Sequence, residues 1–257
     1  MRILAVGDVV STVGCEYLRQ VLPALKRELS ADAVIVNGEN SAMGNGILPQ
    51  SAQHLWDSGA DLITTGNHAL KRREIYELFD QDVPLIRPAN FHTSAPGQGL
   101  YIIDKCFAKI AVINLQGTVY LENNRSPFDT ADEQIAFAKE QGCSIIFVDF
   151  HAEATAEKRA MGFYLDGKVS AVFGTHTHVQ TSDAQILPGG TAYITDLGMT
   201  GPLHSVLGIE PALAIQKIRT NLPVKFQNAD GKCILEGCVA DFDNKTGTAL
   251  SIQPVRR

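Results

Sequence analysis

The sequence predicts an α/β fold, a four-layer α/β/β/α sandwich in which two mixed sheets pack together and are flanked by helices. Three observations lead to this prediction. Short apolar runs that end in glycine and polar residues alternate with segments of helical periodicity over the first 80 residues. Further apolar runs follow in the middle of the chain, and strand-like segments dominate the last third. The alternation implies parallel strands joined by crossover helices.

The first third of the chain contains three predicted strands and three predicted helices. The predicted strands are 2–7, 31–40 and 60–68, each an apolar run followed by polar residues. The predicted helices are 13–29, 49–58 and 70–80. In the first helix the apolar residues recur at helical spacing, at Leu18, Val21, Leu22, Leu25 and Leu29.

The rest of the chain is richer in predicted strands. In the middle they are 84–90, 99–104, 108–117, 144–151 and 168–178, with predicted helices at 131–142 and 151–162. In the last third they are 184–188, 191–196, 222–230, 232–243 and 248–255, with a predicted helix at 209–220. An Asp-Gly pair at 230–231 favours a hairpin turn.

The composition is that of a globular enzyme. Apolar residues make up 45% and charged residues 19% of 257 positions, and the length suits one domain over 1–257. The formal net charge of −6 argues against a long nucleic acid as partner, whereas a small nucleotide stays compatible because a bound metal reverses the local charge. No run of 18 apolar residues occurs, so no membrane span is expected. The five cysteines are widely spaced, so we expect free thiols and a cytoplasmic location.

Polar residues with metal-binding side chains follow five of the predicted strands. They are Asp8, then Glu39 and Asn40, then Asn67 and His68, then Asp149 and His151, and finally His176 and His178. In an open α/β sheet, ligands bind beyond the carboxyl ends of the strands. Convergence of five such ends therefore predicts carboxylates, amides and imidazoles in one cleft.

The His176-Thr177-His178 segment suggests two metal ions. In extended chain, residues i and i+2 point to the same side, so both histidines are expected to face the cleft. Two ions about 3.5–4 Å apart form the usual clamp for phosphoryl hydrolysis, and such a pair needs a bridging carboxylate. Asp8 and Glu39 are the natural suppliers.

Each of these residues also has an ordinary interpretation. Asp8 alone is typical of a helix cap, Asn40 and Asn67 of turns, and His151 of a core histidine. The joint pattern favours a metal site, because the ordinary interpretation requires five independent coincidences. The three remaining histidines lack this context and are predicted to be structural or at the surface: His54, His92 and His204.

The motifs GDVV, NGEN, GNH, DFH and GTHTH, in this order, resemble those of the calcineurin-like metallophosphoesterases. The YmdB-like branch is the closest, and RPANF, VINLQG, DFHAEATAEK and AYITDLGMTGP extend the resemblance from Met1 to about residue 253. Val10 stands where the superfamily usually has a histidine. The resemblance implies a metallo-dependent phosphatase-like fold, a 2′,3′-cyclic-nucleotide phosphodiesterase, a small nucleotide or phosphodiester substrate and a homo-oligomer (dimer or tetramer).

Residue by residue, the resemblance implies two ligand sets that share a bridging Glu39. One ion would be held by Asp8, Glu39, Asn40 and His178, and the other by Glu39, Asn67, His151 and His176. Nitrogen and oxygen donors without thiolate suit iron, manganese or zinc, and the resemblance implies iron or manganese. A hydroxide shared by the ions would attack phosphorus, and His68 would act as general acid. Asp149 and Asp196 are candidate hydrogen-bond partners of the imidazoles.

Alternatives to this function stay open at the level of sequence. For His68, the competing role is only to orient a neighbouring ligand. For the protein, the same residues are compatible with a phosphomonoesterase or protein phosphatase, or with a regulatory metal-binding protein without turnover. Contacts to the nucleobase are expected from loops such as 117–130, in which Tyr120 and Arg125 are candidates.

Overall fold

The computed structural model describes residues 1–257, which form thirteen strands and six α-helices. The strands are β1 Arg2–Val6, β2 Asp8–Val9, β3 Ala33–Asn37, β4 Leu62–Thr64, β5 Leu100–Asp104, β6 Lys109–Gln116, β7 Ile145–His151, β8 Ala171–Thr175, β9 Gln185–Ile186, β10 Ala192–Ile194, β11 Met199–Pro202, β12 Cys233–Phe242 and β13 Ala249–Arg256. The helices are α1 Ser11–Glu28, α2 Pro49–Asp57, α3 Tyr76–Phe79, α4 Pro127–Glu140, α5 Thr155–Leu165 and α6 Pro211–Thr220, and a 3-10 turn covers Arg73–Ile75.

The strands form two mixed sheets. The first sheet has the order β2-β11-β12-β1-β3-β4, with β13 also paired to β12. In it β1, β3 and β4 run parallel, whereas β12 runs antiparallel to β1, β11 and β13. The second sheet has the order β5-β6-β7-β8-β10-β9, in which β6, β7, β8 and β10 run parallel and the two edge strands run antiparallel to their neighbours. The parallel strands of each sheet therefore share one carboxyl edge.

Side-chain alternation along β1 shows how the four layers form. Ile3 and Ala5 lie in a core that includes residues of both sheets, such as Phe147 of β7. Leu4 and Val6 point the other way, into a core shared with α1 and α2. A third core joins α4 and α5 to the outer face of the second sheet. Because strand side chains alternate between faces, each sheet is buried on both sides and the order of layers is α/β/β/α.

Most predicted elements are present, and three predictions are wrong. Segment 84–90 contributes only an isolated bridge between Leu85 and Ile63. Segment 222–230 is not a strand, so the Asp-Gly pair does not close a hairpin; β12 pairs instead with β11, some 30 residues earlier. Most of 70–80 is irregular or a 3-10 turn, with only the short α3. None of the helices is long and apolar enough to span a membrane.

Candidate metal centre

The polar residues that follow the strands meet where the carboxyl edges of the two sheets lie side by side. The first sheet contributes Asp8 after β1, Glu39 and Asn40 after β3, and Asn67 and His68 after β4. The second sheet contributes His151 at the end of β7, and His176 and His178 after β8. The structure thus brings together all eight residues that the sequence singled out as metal ligands or general acid.

One group of these residues is centred on the Nε2 atom of His151. This atom lies 3.2 Å from Glu39 Oε1, 3.1 Å from Asn67 Oδ1 and 3.0 Å from His176 Nδ1. An imidazole nitrogen carries at most one N–H and can donate to only one of three acceptors. The donor atoms of Glu39, His151 and His176 all lie within 4.8 Å of one another, so this group is able to hold a divalent metal ion.

A second group forms around Asp8 and His178. His178 Nε2 lies 3.5 Å from Asp8 Oδ1, which is long for a hydrogen bond, and Asp8 Oδ1 is buried without a hydrogen-bond partner. Asn40 connects the two groups, because its Nδ2 lies 2.8 Å from Glu39 Oε1 and 3.4 Å from His178 Nε2. A 180° rotation of this amide would present its oxygen to the same space, and Glu39 Oε1 would then be the remaining acceptor for His68 Nδ1. The unpartnered carboxylate oxygen fits a cation better than it fits a closed core.

The chemistry of the donor set therefore fits the metal ions that the family resemblance implies. Gly66 supports this fit, since a Cβ atom there would lie 2.2 Å from His151 Cδ2 and 2.5 Å from Glu39 Oε2. Only glycine lets the chain between β4 and Asn67 pass so close to the two side chains.

Charges within the cluster offset one another. Burial alone would raise the pKa of the Glu39 carboxyl, but His151 and His68 lower it well below its usual range. Burial opposes protonation of His151, yet the negative charge of Glu39 raises the pKa of that imidazole to about 9. Burial and the neighbouring charge of His151 lower the pKa of His176. The negative charge of the buried carboxylates is therefore stabilised by positive charge nearby, and a metal ion bound among them would supply such charge.

His68 stands at the open side of the cluster. Its Nδ1 lies 3.2 Å from Glu39 Oε1 and 3.1 Å from Asn40 Oδ1, and its backbone N–H donates to Glu39 Oε2 at 3.1 Å. The side chain is 26% exposed and lines the same cavity as Glu39 and His178. Anchoring of Nδ1 leaves Nε2 as the ring atom available to a substrate.

The backbone at His176 and His178 differs from the prediction. Strand β8 ends at Thr175, and His176 and His178 adopt left-handed φ values of 98° and 60°. The prediction that both side chains face the cleft because they lie in extended chain is therefore wrong in its reasoning. Both do line the cavity, but the turned backbone directs His176 to His151 and His178 to Asp8.

Asp149 does not bond an imidazole directly. The Thr175 hydroxyl lies between them, donating to Asp149 Oδ1 at 2.7 Å and standing 2.9 Å from His151 Nδ1. Thr64 and Asn37 also donate to Oδ2 of this carboxyl. Burial raises the pKa of Asp149 to about 6. The carboxyl therefore orients His151 through a hydroxyl group rather than by contact.

Asp196 likewise does not touch a histidine. Its Oδ2 accepts hydrogen bonds from the backbone N–H and the hydroxyl of Thr177, at 3.1 and 2.7 Å, and from Lys158 Nζ at 2.7 Å. Lys158 and Asp196 are both buried, with side chains 2% and 0% exposed. This ion pair fixes Thr177, the residue between the two histidines, and so acts on them through the backbone.

A comparison with protein families settles the classification. A family model described as "YmdB-like protein" matches residues 4–255. The chain belongs to the YmdB-like protein family.

The relatives of this YmdB-like chain span it almost completely. It is 48% identical over 256 residues to the 2′,3′-cyclic-nucleotide 2′-phosphodiesterase of Bacillus subtilis, with 99% of this chain and 96% of the relative covered. A crystal structure of a hypothetical protein from Thermus thermophilus matches with a TM-score of 0.94 and 36% identity, covering 100% of this chain and 99% of that chain. A structure described as a novel phosphatase from Mycoplasma pneumoniae matches with a TM-score of 0.93 and 34% identity, covering 100% and 93%. The predicted family and fold class are confirmed.

Sequence reasoning missed several residues that shape the site of this YmdB-like protein. Glu153 Oε2 lies 3.0 Å from His176 Nε2, and the Leu207 carbonyl lies 3.2 Å from His178 Nδ1. The Lys158 ammonium, the Thr175 hydroxyl and Thr177 complete the support of the histidines. The one available signal was the spacing in His151-Ala-Glu153, because a carboxylate two residues after a candidate ligand is well placed to reach the same cleft.

The two loop residues expected to touch a nucleobase do not line the cavity of the histidine cluster, although Glu122 and Asn124 of the same loop line a separate cavity with Asn67. Tyr120 is 85% exposed and does not line the cavity of the histidine cluster. Arg125 is paired with Glu133 at 2.6 Å and lines a different cavity. His54, which reaches the Cys15 carbonyl at 3.1 Å, and the exposed His92 and His204 lie outside the cluster.

Proposed function

We propose that this YmdB-like protein is a metal-dependent phosphodiesterase that hydrolyses small phosphate diesters, with 2′,3′-cyclic nucleotides as the first candidates. The observation that carries the proposal is the convergence of Glu39, Asn67 and His176 on His151 Nε2, beside an unpartnered Asp8 oxygen. The printed name of the Bacillus subtilis relative, 48% identical over nearly the whole chain, supports the substrate class.

The proposal includes two metal ions. One set of ligands is Asp8, Glu39, Asn40 and His178, and the other is Glu39, Asn67, His151 and His176, so that Glu39 belongs to both. Bound ions lower the pKa of water and neutralise negative charge on a phosphodiester. Imidazole, carboxylate and amide donors suit iron, manganese or zinc, and the family resemblance favours iron or manganese. The residues that support the proposal most directly are those of the group around His151 Nε2.

His68 is proposed as the general acid. Its Nδ1 is held between Glu39 Oε1 and Asn40 Oδ1, so the ring is fixed while Nε2 faces the cavity. A proton on Nε2 would pass to the oxygen that leaves phosphorus, and the ring would return to its neutral form. The competing role, orientation of Glu39 alone, uses only the Nδ1 contact.

The test combines metal analysis with three substrates. Protein loaded with iron or manganese is expected to hydrolyse 2′,3′-cyclic AMP and bis(p-nitrophenyl) phosphate faster than p-nitrophenyl phosphate. A preference for p-nitrophenyl phosphate would indicate a phosphomonoesterase instead. Loaded protein that is inert to all three would indicate a regulatory metal-binding protein. Either result rejects the proposed function.

Three further parts of the proposal concern the whole chain. We propose that residues 1–257 act as one domain, since the core between the sheets contains residues from both halves of the chain. We propose a cytoplasmic location, supported by five cysteines that are all unpaired. We also propose a homo-oligomer, a dimer or tetramer, which the family resemblance favours and which sedimentation of the purified protein tests.

A further inference from the structure

The cavity beside the histidine cluster is larger than a phosphate group needs. Its volume is about 580 Å³, within the usual range for sites that bind whole small molecules. Four of the proposed metal ligands line it together with His68: Glu39, Asn40, His176 and His178. Three apolar side chains also line it, Leu207, Ile209 and Phe226, which we call the apolar shelf. Asn228 adds an amide group to the lining.

The apolar shelf is held in place by backbone hydrogen bonds, although it contains no named strand. The Val206 N–H donates to the Ile209 carbonyl at 2.9 Å, and the Ala229 N–H donates to the Gly208 carbonyl at 2.9 Å. The Glu210 N–H donates to the Gln227 carbonyl at 3.0 Å. The first bond closes the turn at Leu207, and the other two tie that turn to the segment around Phe226. The shelf is therefore preorganised, and binding to it requires little ordering of the protein.

The shelf exposes apolar surface toward the cavity. Phe226 is 49% exposed and Leu207 is 46% exposed. Leu207 also has a left-handed φ of 54°, an uncommon conformation for a leucine. Exposed apolar side chains that line a cavity beside polar groups are typical of a binding surface rather than of a core.

The shelf is linked directly to the proposed metal centre. The His178 imidazole lies with Nδ1 3.2 Å from the Leu207 carbonyl and with Nε2 facing Asp8. Donation of the Nδ1 proton to that carbonyl leaves Nε2 as the free lone pair. The segment that forms the shelf thus also orients a proposed ligand, so a molecule whose phosphate lies at the histidines has the shelf within the same cavity.

We infer that the apolar shelf is a nucleobase subsite, in which the base stacks on Phe226 against Leu207 and Ile209 while Asn228 faces the polar edge of the base. The inference rests on the proposed function and specifies its substrate as a nucleotide rather than any small diester. An aromatic face with an amide beside it matches a base, because all bases offer a π-face and an edge of donors and acceptors. The 117–130 loop, whose Tyr120 and Arg125 lie outside the cavity, has no part in this subsite.

The test measures binding, which does not depend on turnover. Manganese-loaded wild-type protein, Phe226→Ala and Phe226→Trp are titrated with adenosine 3′-monophosphate and, separately, with inorganic phosphate. Loss of base stacking typically weakens binding by roughly 5- to 150-fold. Because Phe226 is half exposed, we expect a roughly tenfold weaker affinity of Phe226→Ala for adenosine 3′-monophosphate, with phosphate affinity unchanged. Phe226→Trp, which keeps an aromatic face, is expected to retain the wild-type affinity.

Phe107→Ala is the matched control, since Phe107 is 60% exposed on the turn between β5 and β6 and does not line the cavity. Its affinity for both ligands should equal that of wild type. Equal losses for nucleotide and phosphate in Phe226→Ala, or no loss for either, would overturn the subsite. The proposed function is judged separately, from hydrolysis of 2′,3′-cyclic AMP by wild type. Base-dependent binding without hydrolysis would uphold the subsite and reject the phosphodiesterase.

Discussion

Replacement of Lys158 by methionine tests whether the buried ion pair behind the two histidines supports the fold and the metal centre. Lys158 Nζ lies 2.7 Å from Asp196 Oδ2, and both side chains are almost wholly removed from solvent. Loss of one partner leaves the other charge buried, which costs about 3–5 kcal/mol. Asp196 keeps hydrogen bonds from the Thr177 N–H and hydroxyl and from the Gly198 N–H, so we expect the lower end, about 3 kcal/mol.

Urea unfolding and thermal unfolding measure this loss. For a chain of this length, about 3 kcal/mol corresponds to a fall in Tm of roughly 6–12 °C. Because Asp196 positions Thr177 between His176 and His178, metal affinity should also fall, by roughly 10- to 100-fold, as for other residues that orient metal ligands. Equilibrium dialysis at a temperature where the variant is folded separates this effect from unfolding.

Two comparisons make the result decisive. In Lys158→Met with Asp196→Asn, the unpaired charge is gone, so the double variant should be more stable than the sum of the single losses implies. Lys168→Met removes an exposed pair with Asp132, at 3.2 Å, and should change the free energy of unfolding by less than about 1 kcal/mol. A Lys158→Met protein as stable as Lys168→Met, or strict additivity in the double variant, would refute the reasoning.

Three further predictions concern the site and the pH dependence of stability. His68→Ala should lower kcat by roughly 10²- to 10⁴-fold with metal content unchanged, and normal turnover would remove the general-acid role. Glu39→Gln should weaken metal binding by more than about 100-fold, measured by elemental analysis after dialysis, because both proposed ligand sets lose the shared carboxylate. Partial burial would raise the pKa of the Asp61 carboxyl, but hydrogen bonds from Lys26 and Lys105 lower it overall. The ionised carboxylate therefore stabilises the fold by about 1 kcal/mol above the unfolded pKa near 4, and this stabilisation is lost as the pH falls further. Asp61→Asn should therefore be less stable than wild type at pH 7, and urea titrations should show the difference closing below about pH 4.

The order of strands along the sequence predicted much of the fold and of the site. Apolar runs such as 2–7 and 144–151 are buried on both faces, so their composition alone identified them as strands. Parallel strands of one sheet end at the same edge, and that rule placed Asp8 beside Glu39 in the first sheet and His151 beside His176 in the second. Glu39 and His151 lie in different sheets, and they meet because the carboxyl edges of the two sheets lie side by side. The sequence reveals where each strand ends and which polar residues follow it, and this local information is enough to predict which residues enter the cleft.

The failures have a different cause. Segment 84–90 has the apolar composition of a strand, but beyond one bridge from Leu85 to Ile63 it makes only single backbone hydrogen bonds, such as those to Gln98 and Asn114. Segment 222–230 ends at an Asp-Gly pair that suits a hairpin turn, but the segment forms no strand. Its Phe226 lines the cavity instead. Strand formation depends on continuous pairing with a segment from elsewhere in the chain, and composition does not reveal how far that pairing extends.

The backbone of the two histidines after β8 depends on hydrogen bonds from residues that are distant in sequence, which the sequence pattern does not reveal. Left-handed φ values at His176 and His178 each cost about 1–3 kcal/mol in a residue with a Cβ atom. Hydrogen bonds from the rest of the fold offset this strain: the His176 N–H donates to Asp8 Oδ2 at 3.1 Å, and the Thr177 N–H donates to Asp196 Oδ2 at 3.1 Å. An extended chain would point both rings along one line. The turned chain instead directs the His176 ring toward His151 and Glu153 and the His178 ring toward Asp8. The strained backbone therefore allows two histidines that are two residues apart to reach two different carboxylates.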